Sequence, residues 1–320
     1  MAGGGVMMIP CVTLNTGHAM PVLGLGTGSS RTPEDLAATL LHAVRHLGYR
    51  HLDTASLYGT ERAVGAAVAD AVRSGAVASR ADLFVTSKLW IADARPDRVV
   101  PALRESLARL GLDYLDLFLV HWPVALAAAG DGSKDLQVEF DMEGVWRGME
   151  ECHRLGLARS VGVSNFSAAK MSRLLAFAVV PPAVNQVEMN VGWRQEKLRE
   201  VCAENGVVVT AFSPLGALGS DWGSNAVMES GVLRDVAARR GKTVAQVALR
   251  WLHEQGVGFV ARSFNKERLK QNMDIFDWEL TDDDKEMIMQ IPQRRACQGE
   301  FFVSPNGPYK SLEELWDGEI

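Results

Sequence analysis

Short apolar runs alternate with amphipathic stretches along most of the chain. Each run ends in small or polar residues, which is typical of buried strands. The stretches between them repeat apolar residues three or four positions apart, as Leu36, Leu40 and Val44 do, which indicates helices. The pattern predicts eight strands, at residues 22–26, 49–52, 83–88, 115–120, 158–163, 183–187, 207–212 and 257–260.

A helix is predicted after each strand. Strict alternation of strands and helices means parallel strands joined by right-handed crossovers. Eight such units in this length favour an α/β fold of the closed (β/α)8 TIM-barrel type, with an open doubly wound sheet as the alternative. No linker divides the chain, so one domain over residues 1–320 is expected. The predicted helices are at 33–47, 61–74, 96–110, 142–155, from 167, 195–205, 244–255 and from 266.

Four segments lie outside this alternation. Residues 11–21 alternate weakly around Asn15-Thr16-Gly17, which predicts an N-terminal hairpin. Segments 124–141 and 216–230 follow strands, so both should lie on the C-terminal face and shape a pocket. The C-terminal loop, 292–320, is rich in aromatic residues, which argues against disorder.

Composition narrows the class of protein. Of the 320 residues, 47% are hydrophobic, which is enough for a large core, and 22% are charged. The formal charge of −6 and the lack of a long basic run argue against nucleic-acid binding. The four cysteines form no CxxC, and no stretch resembles a secretory signal or a membrane span. We therefore expect a cytoplasmic protein with reduced thiols; a monomer is also expected.

Titratable residues stand at the carboxyl ends of three consecutive predicted strands. These are Asp53, Lys88 and His121, and Tyr58 follows just beyond the first of them. A barrel brings all its strand ends to one mouth, where barrel enzymes hold their catalytic groups. Each residue alone has a structural interpretation, such as a helix cap, an ion pair or a core histidine. Together they predict an active site.

The chemistry of this set points to carbonyl reduction. A free tyrosine has a pKa of roughly 10, and a nearby ammonium lowers that value. Asp53 should keep a buried Lys88 charged, Lys88 should tune Tyr58, and Tyr58 should donate a proton. His121 can position a carbonyl oxygen by hydrogen bonding. The reaction also needs a hydride, and no side chain supplies one, so a cofactor is required.

Three ordered motifs carry a resemblance to a known family. They are GYRHLDTASLYGTERAVG at 48–65, RSVGVSNF ending at Phe166, and VARSFNKERL from Val260. The chain resembles the aldo-keto reductases across nearly its whole length. This resemblance implies a barrel with NADPH or NADP+ across its mouth. It also implies Tyr58 as general acid, Asp53 and Lys88 as its tuning pair, and His121 as orienter of the carbonyl.

The resemblance also implies a set of cofactor contacts. Ser164, Asn165 and Gln186 would bind the nicotinamide carboxamide, and Phe212 would stack on the ring. The 2′-phosphate would lie among Arg262, Ser263 and Arg268, with the adenine near Gln271 and Asn272. A glycine-rich first loop allows close approach of a ligand. The remaining expected cofactor contacts are Gly26, Thr27, Gly28, Asp53, Ser213, Leu215 and Phe264.

An apolar, aromatic pocket is predicted for the substrate, a small-molecule carbonyl compound. Trp90 lies two residues beyond Lys88, and Trp122 adjoins His121, so both should face the mouth. Large rings there suit bulky or cyclic carbonyl compounds. The complete set of expected substrate contacts is Leu57, Trp90, His121, Trp122, Trp222 and Phe301.

Several positions depart from the family pattern. Phe212 replaces a frequent Tyr, Arg262 a common Lys, Ala261 a frequent Pro and Gln271 a frequent Glu. Gly28 stands where Trp is often found, which should open one wall of the pocket. The segments SFNKERLKQN, FDWEL and PYKSLEELWDGEI resemble the plant branch that contains codeinone-reductase-like, chalcone-reductase-like and deoxymugineic-acid-synthase enzymes.

Other functions fit the sequence less well. A glycoside hydrolase would need two flanking carboxylates, for which Asp53 and Glu188 are the evident pair. A serine hydrolase would need GxSxG, which the segment at Ser164 lacks. His42 and His46 lie one helical turn apart without further ligands, so no metal is expected. A keto-acid reductase of the deoxymugineic-acid-synthase type and a non-catalytic cofactor-binding partner module remain as alternatives.

Overall fold

Parallel strands form a closed barrel at the centre of the molecule. The structure, a computed structural model, describes residues 9–28, 31–127, 137–220 and 222–320. Within these ranges the strands are β1 (Cys11–Thr13), β2 (Ala19–Pro21), β3 (Leu23–Gly26), β4 (His51–Asp53), β5 (Phe84–Leu89), β6 (Leu115–Val120), β7 (Ala125–Leu126), β8 (Gln137–Val138), β9 (Ala158–Ser164), β10 (Val184–Glu188), β11 (Val208–Phe212) and β12 (Gly258–Ala261).

The barrel closes in the order β10-β11-β12-β3-β4-β5-β6-β9, with every neighbouring pair parallel. The predicted TIM barrel is therefore confirmed, and the open sheet is wrong. Strands β1 and β2 form the predicted antiparallel hairpin. Strands β7 and β8 form a second one in segment 124–141, of which residues 128–136 lie outside the described residues.

Helices surround the barrel and carry short apolar faces toward it. Several begin at a side chain that accepts a backbone N–H, such as Ser167, Thr243 and Thr281. The helices are α1 (Pro33–His42), α2 (Glu61–Arg73), α3 (Val99–Leu110), α4 (Met142–Arg154), α5 (Ala168–Leu175), α6 (Glu196–Glu204), α7 (Gly231–Arg240), α8 (Val244–Glu254), α9 (Lys266–Met273), α10 (Asp282–Met289) and α11 (Leu312–Trp316).

The helix predictions need two corrections. The helix predicted at 33–47 is α-helical only to His42 and continues as a π-helical turn, Ala43–Leu47, which ends at Gly48 with φ of 84°. In addition, α7, α10 and α11 were not predicted. The eight predicted helices otherwise correspond to α1–α6, α8 and α9, with ends that differ by a few residues.

Three apolar clusters determine where the site can lie. The largest fills the space between strands and helices. A second contains Leu14 and Met20 of the hairpin, which closes the N-terminal end of the barrel. The third contains Trp122, Cys297, Phe302 and other side chains at the C-terminal mouth, so the C-terminal loop packs there. None of the helices in the described ranges is long and apolar enough to span a membrane.

Candidate active site

A buried ion pair lies at the C-terminal mouth, between neighbouring strands β4 and β5. Lys88 Nζ donates to Asp53 Oδ1 at 2.6 Å and to the carbonyl oxygen of Thr54 at 3.0 Å. Burial lowers the pKa of Lys88, but Asp53 and then Tyr58 raise it by more, so the net shift is upward. The lysine therefore remains charged, as predicted.

Gln186 holds the other oxygen of the same carboxylate. Its Nε2 donates to Asp53 Oδ2 at 2.8 Å, across 133 residues of sequence. Both carboxylate oxygens of Asp53 are thus engaged, which fixes the position of Lys88. The sequence predicted Gln186 only as a cofactor contact.

Tyr58 lies next to this pair on a short 3-10 turn after β4. The Lys88 ammonium is 5.1 Å from the centre of the Tyr58 ring. Burial raises the pKa of Tyr58, whereas the charge of Lys88 lowers it by less. The effect of Lys88 has the predicted sign, but burial outweighs it, so the net shift is upward.

His121 faces Tyr58 across the mouth. Its ring lies 5.6 Å from that of Tyr58 and 5.3 Å from that of Trp90, both edge-to-face. Burial, with the charge of Lys88, lowers the pKa of His121 well below 6.5. The imidazole is therefore neutral at pH 7. Its Nδ1 is buried without a hydrogen-bond partner among the described residues.

The ends of β9 and β10 present an unpaired acceptor. Asn165, with φ of 61°, donates from Nδ2 to the carbonyl oxygen of His121 at 2.9 Å and to Ser164 Oγ at 3.2 Å. Ser164 Oγ donates to the carbonyl oxygen of Gln186 at 2.7 Å. The Oδ1 atom of Asn165 is buried and has no partner within the described part of the chain. A buried acceptor of this kind needs a donor, and the amide of a nicotinamide carboxamide would supply one.

The next strand end carries the predicted stacking ring. Phe212 ends β11 and is partly buried, with its ring edge-to-face on Trp222 at 6.1 Å. Ser213 follows with φ of 51°, and Leu215 is partly buried beyond it. These positions continue the wall from β11 into the predicted pocket-shaping loop.

The first loop, which follows β3, packs against the Tyr58 ring. A Cβ atom at Gly28 would lie 3.6 Å from the Tyr58 ring, so this ring packs beside bare backbone. Thr27 is fully buried, and its hydroxyl lies 3.0 Å from that of Thr60, so it anchors the loop below the surface. Gly26 ends β3 and pairs with Asp53. Residues 29 and 30 of this loop lie outside the described residues.

The predicted phosphate site lies after β12, next to the first loop. Arg262 Nη1 donates to the carbonyl oxygen of Gly28 at 2.8 Å, and Phe264 lies under the Arg31 guanidinium at 4.9 Å. Ser263 Oγ accepts from the backbone of Asn265, which in turn caps α9. Both Arg262 and Arg268 are exposed, while Asn272 is buried and Gln271 partly so. Arg268, Gln271 and Asn272 share one face of α9, at i, i+3 and i+4.

The C-terminal loop covers part of the predicted substrate pocket. Trp122 is only 6% exposed, because Phe302 packs on its ring at 4.8 Å and Trp316 at 5.7 Å. Phe301 contacts the same ring at 6.1 Å and is itself 63% exposed. Leu57 is half exposed, and Trp90 and Trp222 are partly buried. The predicted aromatic residues of the mouth therefore lie on separate elements, with Trp122 more enclosed than expected.

Similarity to known proteins agrees with this geometry. The Aldo/keto reductase family matches residues 22–292. The chain belongs to the aldo/keto reductase family. An aldo-keto reductase of Bombyx mori, solved in complex with NADP, is 38% identical with a TM-score of 0.84 over 94% of this chain and 99% of its own. The predicted family and enzyme class are confirmed.

Plant aldo/keto reductases are more similar still. The 7-acetyl-epi-neemfruitin B aldo-keto reductase of Melia azedarach is 53% identical over 98% of both chains. Deoxymugineic acid synthase 1 of Oryza sativa subsp. japonica is 54% identical over 95% of this chain and 96% of its own. Rhazimal reductase 2 of Alstonia scholaris is 53% identical over 98% and 99%. The predicted likeness to a plant branch is thereby confirmed.

Two residues of the site had no predicted role in it. Cys297 is buried in the cluster at the mouth, where burial raises the pKa of its thiol to about 12. Glu188, at the end of β10, accepts the backbone N–H groups of Cys297 at 2.8 Å and of Ala296 at 3.0 Å. Because that carboxylate is buried and engaged, it is unsuited to the hydrolase role considered for it. A lone cysteine in a loop gives no pattern from which this position could have been predicted.

Proposed function

We propose that this enzyme reduces the carbonyl group of a bulky, largely apolar plant metabolite to an alcohol, with NADPH as cofactor. The observation that carries the proposal is the buried Asp53–Lys88 pair beside Tyr58 and a neutral His121. When bound, NADPH supplies a hydride to the carbonyl carbon. The chain would hold it through Asn165 Oδ1, Ser164 and Gln186 at the carboxamide, and through the exposed Arg262 and Arg268 at the 2′-phosphate.

Tyr58 then supplies the proton. Its phenol is protonated at neutral pH, and burial raises its pKa further, so the group is ready to donate before reaction. The neighbouring Lys88 ammonium stabilises the phenolate that forms when the proton moves to the carbonyl oxygen. His121, which stays neutral, can donate one ring N–H to the same oxygen and hold it near Tyr58. The products are an alcohol and an oxidised cofactor.

The residues of the mouth support an apolar substrate over a keto acid. Apart from the neutral His121, the predicted substrate contacts are Leu57, Trp90, Trp122, Trp222 and Phe301, none of which is charged. A carboxylate would find no cationic partner among them, and burying it unpaired is costly. The relatives alone do not decide, because a deoxymugineic acid synthase is about as similar as the other two reductases. A screen of NADPH oxidation over neutral polycyclic ketones, simple aldehydes and keto acids would test this preference.

The substitution Tyr58→Phe tests the catalytic proposal. It removes the proton donor but leaves the cofactor contacts, so we expect the NADPH dissociation constant to stay unchanged while kcat falls by roughly 100-fold to 10,000-fold. Tyr114→Phe is the matched control, because Tyr114 lies between Arg80 and Arg159 before β6, at the opposite end of the barrel. Near wild-type turnover in Tyr58→Phe would exclude Tyr58 as the acid. Loss of turnover in both variants would point to general damage.

The remaining expectations are part of the same proposal. We infer a monomer that folds as one domain over residues 1–320 and works in the cytoplasm. The absence of a CxxC motif and the burial of Cys152, Cys202 and Cys297 support reduced thiols. The intact catalytic set argues against the alternative of a non-catalytic partner module. Measurement of the mass in solution would test the monomer.

A further inference from the structure

The end of the chain is held against α5 by one buried ammonium. Lys170, whose side chain is 1% exposed, donates from Nζ to Asp317 Oδ2 at 2.6 Å and to the carbonyl oxygen of Leu315 at 2.7 Å. The same ammonium lies 5.3 Å from the centre of the Tyr309 ring. Three groups of the C-terminal loop therefore converge on a single side chain of the barrel.

The first turn of α5 adds further contacts to the same segment. Ser167 donates its hydroxyl to Asp317 while accepting the N–H of Lys170. The N–H of Ala168 donates to Glu319 Oε2 at 3.0 Å. Carboxylates are favoured at the start of a helix, where backbone N–H groups are unpaired. The end of the loop is thus docked by charge and by helix geometry together.

The beginning of the loop has its own anchors. Glu188 of the barrel binds the backbone at residues 296 and 297. Arg295 stacks on the Trp316 ring at 3.5 Å and donates to the carbonyl oxygen of Glu319 at 2.8 Å. Trp316 Nε1 donates to the carbonyl oxygen of Gln298 at 2.6 Å. Residues 295–319 therefore form a closed loop whose two ends are tied to each other and to the barrel.

The part of this loop between its anchors packs on the substrate side of the mouth. Phe301 and Phe302 lie against Trp122, the neighbour of His121 in sequence. A Cβ atom at Gly299 would come within 3.2 Å of the Trp122 ring and 3.0 Å of Leu315, so the loop backbone is closely packed against both side chains. A shift of the docked end would therefore move the residues that line the mouth.

Burying the charged side chain of Lys170 between a helix and a loop carries a desolvation cost. Burial lowers its pKa, and the charge and hydrogen bond of Asp317 offset this only in part. An apolar side chain would fill the space without this desolvation cost, but it would not require one particular partner. The charged pair therefore specifies one docked position of the loop, whereas apolar packing would allow several.

We propose that Lys170, together with Asp317, is a positioning residue that fixes the C-terminal loop over the mouth and thereby sets which carbonyl compounds are accepted. The inference rests on the proposed reductase function. It assigns neither residue a part in hydride or proton transfer. Neither touches the Asp53, Tyr58, Lys88 and His121 set in the described contacts.

The test compares Lys170→Met with Arg173→Met. Arg173 lies on the same helix, is 61% exposed and approaches Asp317 only to 3.8 Å, so the control removes an equal charge without the buried contact. We expect Lys170→Met to raise the KM for a polycyclic ketone by roughly tenfold or more. Breaking the buried pair destabilises the docked position of the loop, and the loop residues that line the mouth then shift. Its kcat for that ketone, its kcat/KM for a small aldehyde and its Kd for NADPH should stay within about threefold. The control should change each value by no more than about threefold, as exposed pairs contribute little.

Hydrogen exchange of residues 296–319 provides a readout that does not depend on activity. Lys170→Met should speed exchange there, and the control should not. Unchanged exchange would show that Lys170 does not hold the loop; faster exchange with an unchanged ketone-to-aldehyde ratio would show that loop position does not set specificity. Either result overturns the inference. If the wild type reduces neither compound, the proposed function itself fails instead.

Asp317→Asn keeps the shape of the loop and removes only the charge. It should reproduce the direction of both changes, and Lys170→Met combined with Asp317→Asn should be no worse than Lys170→Met alone, because the two residues act as one contact. This variant also carries the test if Lys170→Met does not fold. Additive effects of the two substitutions would contradict the proposed pair.

Discussion

Each carboxylate oxygen of Asp53 accepts a hydrogen bond from a different partner, and these two contacts fix the position of the groups around Tyr58. Lys88 takes one oxygen and Gln186 the other, so the ammonium cannot swing away from Tyr58. Tyr58 in turn has a pKa raised by burial and lowered less by Lys88. The role of general acid that we propose for Tyr58 benefits from both effects, because such a group keeps its proton until reaction and then has a cation beside it.

Gly28 allows a prediction about the size of the pocket. A Cβ atom there would make ordinary contact with the Tyr58 ring at 3.6 Å, so Gly28→Trp should be accommodated by the backbone and should place its ring at the mouth. We expect kcat/KM for a polycyclic ketone to fall at least tenfold relative to a small aldehyde, on the order of 1.4 kcal/mol. Gly28→Ala is the control and should leave the ratio within about twofold. An unchanged ratio in Gly28→Trp would place the open wall elsewhere.

The sequence allowed only part of the site to be predicted, and the reason is separation along the chain. Asp53, Lys88 and His121 stand at ends of consecutive strands, so the barrel pattern alone brings them together. Gln186 and Asp53 are 133 residues apart, and Lys170 and Asp317 are 147 apart. Their pairing depends on the register of the strands and the path of the C-terminal loop. Neither leaves a local pattern in the sequence.

Among the helices, the eight that alternate with the predicted strands were predicted, whereas α7, α10 and α11 were not. Helix α4 buries Val145, Trp146, Met149 and Cys152 at helical spacing. In contrast, α10 begins with three aspartates and buries Ile288 as its only apolar side chain. The five residues of α11 are too few to show a period. Helix α7 buries only a short apolar stripe, which could not be distinguished in the sequence from the loop before it.

The contact between α2 and α3 depends on one glycine. A Cβ atom at Gly65 would lie 1.9 Å from the carbonyl oxygen of Leu110, a backbone atom that cannot move independently. Gly65→Ala should therefore lower the free energy of unfolding by about 1–3 kcal/mol, despite the better helix propensity of alanine. Chemical denaturation would measure this change.

Gly231→Ala is the matched control for that substitution. Gly231 is the first residue of α7, and a Cβ atom added there would meet open space out to 4 Å, so alanine should change stability by less than about 1 kcal/mol. If Gly65→Ala were as stable as the wild type, the two helices would have to separate at little cost. Close packing of α2 on α3 would then not be a requirement of the barrel.

Several buried titratable groups act on the stability of the whole molecule. His51 lies inside the barrel, with its ring nitrogens 3.1 Å from the carbonyl oxygen of Pro21 and 3.0 Å from the hydroxyl of Thr86. Burial lowers the pKa of His51, and burial with Lys88 lowers that of His121. Glu188 has the opposite effect, because burial raises its pKa and the folded state binds its proton more readily. Two buried histidines act in one direction and one glutamate in the other, so the histidines should dominate between pH 7 and pH 5.

The free energy of unfolding should therefore fall as the pH is lowered from 7 to 5. A histidine whose folded pKa is lowered binds a proton more readily when unfolded, so its contribution is complete above about pH 6.5 and is lost below it. Each such histidine contributes a slope of up to about 1.4 kcal/mol per pH unit. His51→Gln should be less stable near neutral pH but show a shallower slope, with a constant offset from the wild type above about pH 7.5 and a smaller one toward pH 5. Denaturation curves at several pH values would measure both slopes, and parallel curves down to pH 5 would mean that His51 takes up no extra proton on unfolding.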